Sequence, residues 1–205
     1  MEIALLAVTR LGDGVCVAGI TREGKWIRPT RPVGGDEGWR CIEKDDCCDE
    51  KGEWVLKKGN VVDMDLTEPI PLGYRTEDWR LGDRPPRLVR ELPEERYRMV
   101  CERFAERNPR RLFVKKEPRS LMLIVPQQIE TFTFETEEKE GGVLKYRPRV
   151  SFTAADHLYR GVAVTDAEWR GYGREVMKEL GDPCAMSGNE ILKRLGVGLI
   201  GEQKE

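Results

Sequence analysis

The residues best suited to chemistry fall into a few small groups. Trp26, Arg28 and Arg31 lie on or just after a β-capable run, and Trp39 follows. An aromatic ring beside guanidiniums on a barrel face can stack unpaired bases and hold phosphate. The same three residues also fit a structural role, with Trp26 in a core and the arginines paired with acids. A second group spans 107–119, where six basic residues meet a single acid, Glu117, with Phe113 interleaved. Its centre, Arg110, Arg111, Lys115 and Lys116, is the strongest local candidate for phosphate contact. The alternative there is a solvated linker after a helix.

Other groups carry less. Gly34-Gly35-Asp36-Glu37 spells the opening of a diguanylate cyclase signature. Only 33 residues precede it and Gly38 follows, so an acidic glycine-rich loop is the better reading. Cys41, Cys47 and Cys48 are spaced poorly for structural zinc, which takes four ligands in close pairs, and His157 is the chain's one histidine. No metal and no cofactor is expected. One disulfide, from Cys41 to Cys47 or Cys48, remains open. Asp156-His157 reads as a hairpin tip. Asp166 and Glu168 read as a helix cap and first-turn acid, both favourable against the helix dipole.

Composition narrows the classes. The chain has 205 residues, 35 basic and 37 acidic, for a net charge of −2. That balance argues against a generally basic nucleic-acid protein, so any such binding must be local. The block 36–65 holds ten acids against five bases. Arginine outnumbers lysine 23 to 12, with three Asn and three Gln, a pattern that points to a thermophile. The first residues lack a signal-peptide pattern, and no apolar run reaches membrane-span length. The expected setting is the cytoplasm, with no membrane partner.

These groups must be positioned by short strands. Glu2–Val8, Val15–Ile20 and Lys25–Arg28 read as strands, the last two joined by a turn at Thr21–Gly24 and stopped by Pro29. Residues 30–53 read as an acidic loop, followed by strands at Trp54–Leu56 and Val61–Leu66. Proline-rich stretches surround a helix between Leu92 and Asn108, whose Tyr97, Val100, Cys101 and Phe104 recur at helical spacing and should be buried. Strands follow at Leu121–Val125, 129–135, 143–153 and 158–164, then a helix over Ala167–Leu180. Ser187 with Glu190 matches a capping box and predicts a helix to Leu195. A closing strand through 197–200 is the alternative.

Residues Gly19–Pro29, Val61–Leu66 with Pro69, Pro71 and Glu77-Asp78-Trp79, Ser120–Pro126, and Val150–Phe152 through Val164–Asp166 together resemble prokaryotic dual OB-containing proteins. The resemblance implies a mainly β chain with two OB-like small antiparallel barrels, a connecting helix and a C-terminal helix. It supplies no activity, catalytic residue or cofactor. The expected organisation is a first module over 1–71, a proline-rich crossing with helix and basic linker over 72–118, and a second module over 119–205.

No nucleophile-plus-base pair or phosphate loop is evident, so no catalytic residue is assigned. The leading expectation is a binding module for single-stranded nucleic acid through Trp26, Arg28, Arg31, Arg110, Arg111, Lys115 and Lys116. A protein-interaction module is the second reading, and an enzyme acting on a nucleotide or small ligand the third. The oligomeric state is left open.

Overall fold

The computed structural model describes residues 1–11, 14–31, 41–109, 120–138, 141–142 and 144–196. The chain divides into two compact units, Met1–Ile124 and Val125–Glu205. Both are built mainly from strands.

In the first unit, β1 (Glu2–Leu11) and β2 (Gly14–Ile20) pair antiparallel, and β3 (Trp26–Thr30) returns along β2. The turn between β2 and β3 is closed by Gly24 N donating to Thr21 O and Thr21 N donating to Lys25 O. Gly24 adopts φ +89°, open to glycine at little cost. β4 (Asn60–Asp63) pairs with β1, while β5 (Leu66–Pro69) pairs with β6 (Asp78–Leu81), which runs parallel to β3. Only Met64 and Asp65 separate β4 from β5. The two are halves of one bent strand that joins both ends of the curled sheet, and this closes it toward a barrel. An additional strand, β7 (Arg87–Glu91), lies outside β4.

The barrel interior holds Ile3, Leu5, Val15, Val17, Ile27, Ile42, Cys47, Val55, Leu56, Val62, Met64 and Leu81. Alternation along β1 and β2 places every second residue inside. Cys47 sits at the end of a single 3-10 turn, Asp45–Cys47. Burial, with Asp46 next, pushes its thiol up to about 12. All six cysteines are free thiols, so neither disulfide left open by the sequence is formed here.

Several expectations need correction. β3 runs through Pro29 rather than stopping there. Arg28 N donates to Glu77 O on the β6 side, so the next residue's nitrogen faces β2, which pairs with β3 only at Gly19 and Ile20. Proline there removes no ladder bond. Residues 72–118, read as a crossing, contribute β6 and β7 to the sheet. Leu121–Val125 is not a strand; it contributes only a bridge from Ile124 to Glu106. Ser120 N and Leu121 N donate instead to the buried Glu77 carboxylate, at 2.6 and 3.0 Å.

In the second unit, β8 (Gln128–Glu138), β9 (Leu144–Ala154), β10 (His157–Ala163) and β11 (Cys184–Ser187) form an antiparallel sheet in the order β10-β9-β8-β11. Ala155 and Asp156 turn β9 into β10, both at positive φ, as a two-residue hairpin requires. Helices α2 (Ala167–Leu180) and α3 (Gly188–Arg194) complete the unit. Asp166 caps α2, accepting from Trp169 N at 2.8 Å, and the Ser187–Glu190 capping box opens α3. The alternative strand over 197–200 lies outside the described residues.

Phe132, Phe134, Tyr146, Val176, Met186 and Ile191 form the core of this unit. The opposite face carries cross-strand pairs, Arg147 with Glu137 and Arg149 with Glu135. Gly173 lets α2 approach the sheet: a Cβ there would lie 2.1 Å from Tyr146 Oη and 2.4 Å from Phe134 Cδ1. Alanine in mid-helix ordinarily stabilises by about 1 kcal/mol. Gly173→Ala should instead destabilise by about 1–3 kcal/mol through overpacking, read by urea unfolding. A variant as stable as the parent would show that α2 is not seated on Tyr146 and Phe134.

Candidate functional site

The chemistry-bearing residues of the first unit divide by whether their charge is already neutralised. Arg28 and Asp78 face each other across the parallel β3–β6 pairing. Arg28 Nε donates to Asp78 Oδ1 at 2.5 Å, and the Asp78 side chain is fully buried. Arg28 Nη2 is buried without a hydrogen-bond partner among the described residues. Arg31 grips Asp46 with Nε and Nη2 at 2.8–3.0 Å and donates to Gly82 O at 3.1 Å. That carboxylate raises the affinity of Arg31 for its proton. Both guanidiniums are thus paired with acids.

Trp26 is half-buried on β3. Trp79 packs against the barrel core, with Lys25 Nζ 4.3 Å from its ring centroid. Trp54 is more exposed but donates Nε1 to Leu56 O. Trp39, Arg110, Arg111, Lys115 and Lys116 lie outside the described residues. Arg28 lies on β3 and Arg31 just after its end, and the two are tied to different carboxylates, Arg28 to Asp78 and Arg31 to Asp46 and Asp83.

A different set of cations converges elsewhere. Helix α1 (Glu94–Phe104) lies along the outer face of the sheet, and a cleft of about 450 Å³ separates them. Its apolar lining comes from Ile20 and Val61 on the sheet side, from Leu92, and from Met99, Val100 and Phe104 on α1 itself. Four arginines line it: Arg22 after β2, Arg90 on β7, and Arg96 and Arg103 on α1. All four are exposed, and none forms an ion pair with a carboxylate among the described residues. Glu2 is the single acid in the lining.

The helix is held at its two ends and stands off between them. Leu92 N donates to Gly59 O, and Tyr97 Oη donates to Leu6 O at 3.3 Å. At the far end, the Phe104 ring rests against Gly24, where a Cβ would come within 2.9 Å of it. Glu106 N then donates to Leu123 O. The sequence places Tyr97, Val100, Cys101 and Phe104 in a buried stripe, but all four are half-buried and α1 has no fully buried residue. The apolar face of α1 meets a cleft rather than a closed core. The cation on the helix surface away from it, Arg98, is paired with Glu102.

A family model for the dual OB-containing domain matches residues 1–184. The chain belongs to that family. No curated protein and no solved structure matches it. The barrel of β1–β6 and the second antiparallel sheet are accordingly its two OB-like modules. No described helix is long and apolar enough to cross a membrane. Among the described residues, no group of three or more His, Cys, Asp or Glu side chains could hold a metal.

Sequence reasoning passed over Arg22, Arg90, Arg96 and Arg103 because each has a glutamate beside it in the chain and none belongs to a basic run. Only the fold brings them to one cleft. By contrast, the Arg28–Asp78 pair is a structural element with a clear signature. Removing one member of a buried ion pair leaves the other uncompensated and costs about 3–5 kcal/mol. Asp78→Ala should show a loss of that size in urea unfolding, whereas a loss below about 1 kcal/mol would mean the pair does not secure the barrel.

Proposed function

We propose that the first module binds single-stranded nucleic acid in the cleft beneath α1. The observation that carries this reading is the convergence of four arginines, without carboxylate partners among the described residues, on an apolar lining. A single strand has the matching character, with phosphates to meet guanidiniums and base faces to leave water. Phe104 supplies an aromatic edge to the lining, and Arg103 lies 5.2 Å from its ring centroid. Trp26 is proposed as an additional stacking residue. Arg110, Arg111, Lys115 and Lys116, which follow α1 closely in the chain, are proposed to extend the phosphate contacts. Arg28 and Arg31 act in this reading by holding the barrel in shape.

One observation favours a second reading. The apolar lining is mostly aliphatic, and stacking platforms in single-strand binders are mostly aromatic. An acidic segment with spaced apolar side chains would also fit, setting aliphatic groups on Ile20, Val61 and Met99 and carboxylates on the arginines.

Fluorescence anisotropy with a labelled oligonucleotide, taken over a salt series, separates the two. A single strand should bind more tightly than a duplex of the same sequence. Each phosphate contact on a single strand contributes roughly −0.7 to the slope of log K against log salt. The variant Arg22→Ala/Arg96→Ala/Arg103→Ala should therefore flatten that slope by about 2 if all three touch phosphate. Absence of binding at low salt, by a protein shown to be folded, contradicts the nucleic-acid reading. Binding of an acidic apolar peptide in its place establishes the second.

A further inference from the structure

We infer that the second module carries its own phosphate-binding site, formed by Arg170 and Arg174 where helix α2 crosses Tyr146. The two side chains stand one helical turn apart, so they share a face of α2. Between them lies Gly173, whose missing side chain admits the Tyr146 hydroxyl beneath the helix. The guanidinium carbons flank that ring, Arg170 at 5.2 Å and Arg174 at 5.1 Å from its centroid. Arg170 Nη2 also reaches Tyr146 O at 3.5 Å. The tyrosine thus acts as a post that draws two like charges together.

Nothing among the described residues neutralises them. Two acids later on α2 are engaged elsewhere: Glu175 accepts from Lys178 at 2.8 Å, and Glu179 from Arg194 at 2.6 Å. Like charges at this spacing repel, and the effect is visible in Arg170, whose hold on its proton is weakened by burial and then by Arg174. An anion spanning both guanidiniums would relieve the repulsion and satisfy their outward N–H groups. The planar forks suit a tetrahedral oxyanion, which can accept from each at once. The buried ring of Tyr146 offers no face for a base, so the ligand is recognised through its phosphate alone. Inorganic phosphate and the phosphodiester of a nucleic-acid strand share that chemistry.

This site is independent of the cleft beneath α1, and its test does not require that cleft to be occupied. The arginine Nε–Hε resonances of the full chain are followed by NMR during titration with potassium phosphate, with chloride replaced to hold ionic strength constant. A second titration uses a short oligothymidylate. The Arg170 and Arg174 resonances should move saturably, and Arg174→Gln should weaken the dependence by about tenfold, the loss of one charge-assisted hydrogen bond. Arg174 is exposed, so the variant should melt at or above the temperature of the parent. Response to both ligands, or to phosphate alone, supports a general phosphate site. Response to the oligonucleotide alone supports the site with a strand backbone as its source. Equal shifts in chloride, or shifts unchanged by Arg174→Gln, overturn the proposal and leave the arginines as cover for Tyr146.

Discussion

The first module rests on one contact between parallel strands. β1, β2 and β3 form a meander that hairpin connections bring together locally, but β6 reaches β3 only after some fifty residues of intervening chain. Loop closure over that distance must be offset by something specific at the seam. The seam is Arg28 against Asp78, reinforced by Arg28 N on Glu77 O and by the buried Glu77 carboxylate holding Ser120 and Leu121. With the seam made, the bent strand β4–β5 can pair at one end with β1 and at the other with β6. A buried ion pair is not in itself a strong stabiliser. Its value here is directional, since few alternative registers of β6 would place a carboxylate against Arg28.

Charge in this module is sorted by role. The net charge of −2 conceals carboxylates used for construction and arginines left over. Asp46, Asp78 and Glu77 are consumed inside or at the edge of the barrel, Asp46 and Asp78 neutralising Arg31 and Arg28. Arg22, Arg90, Arg96 and Arg103 have no carboxylate partner among the described residues, and helix α1 gathers them because it is anchored at Tyr97 and Phe104 rather than along its length. A helix pressed flat on the sheet would have buried Val100 and Met99 and closed the cleft. The local field is therefore positive where the whole chain is slightly negative, which is the condition a small acidic protein needs to bind a polyanion.

Much of the architecture was legible from residue pattern. The β2–β3 hairpin, the connecting helix, the Asp166 cap of α2 and the Ser187 capping box all rest on local chemistry that tertiary structure did not override. The elements that were missed are those whose partners are distant. β6 and β7 are short and rich in arginine, with Asp78-Trp79-Arg80-Leu81 and Arg87-Leu88-Val89-Arg90-Glu91 showing little apolar alternation. β7 is an outer strand with mostly exposed side chains, so no pattern was required of it. Leu121–Val125 had a strand's composition but found its hydrogen bonds in Glu77 and Glu106. The candidate site was hidden for the same reason: Arg28 and Arg31 sit close in sequence and advertise themselves, whereas the cleft arginines are spread over 82 positions, from 22 to 103.

The proposed binding of a single strand requires that the strand lie in the cleft beneath α1. Photocross-linking tests this most directly, using a single strand that carries 4-thiothymidine at successive positions and peptide mapping of the adduct. Adducts are expected in the peptide bearing Met99 to Phe104, with yield falling when Arg22, Arg96 and Arg103 are replaced by alanine. Adducts confined to other peptides, or a yield indifferent to those replacements, would contradict that placement.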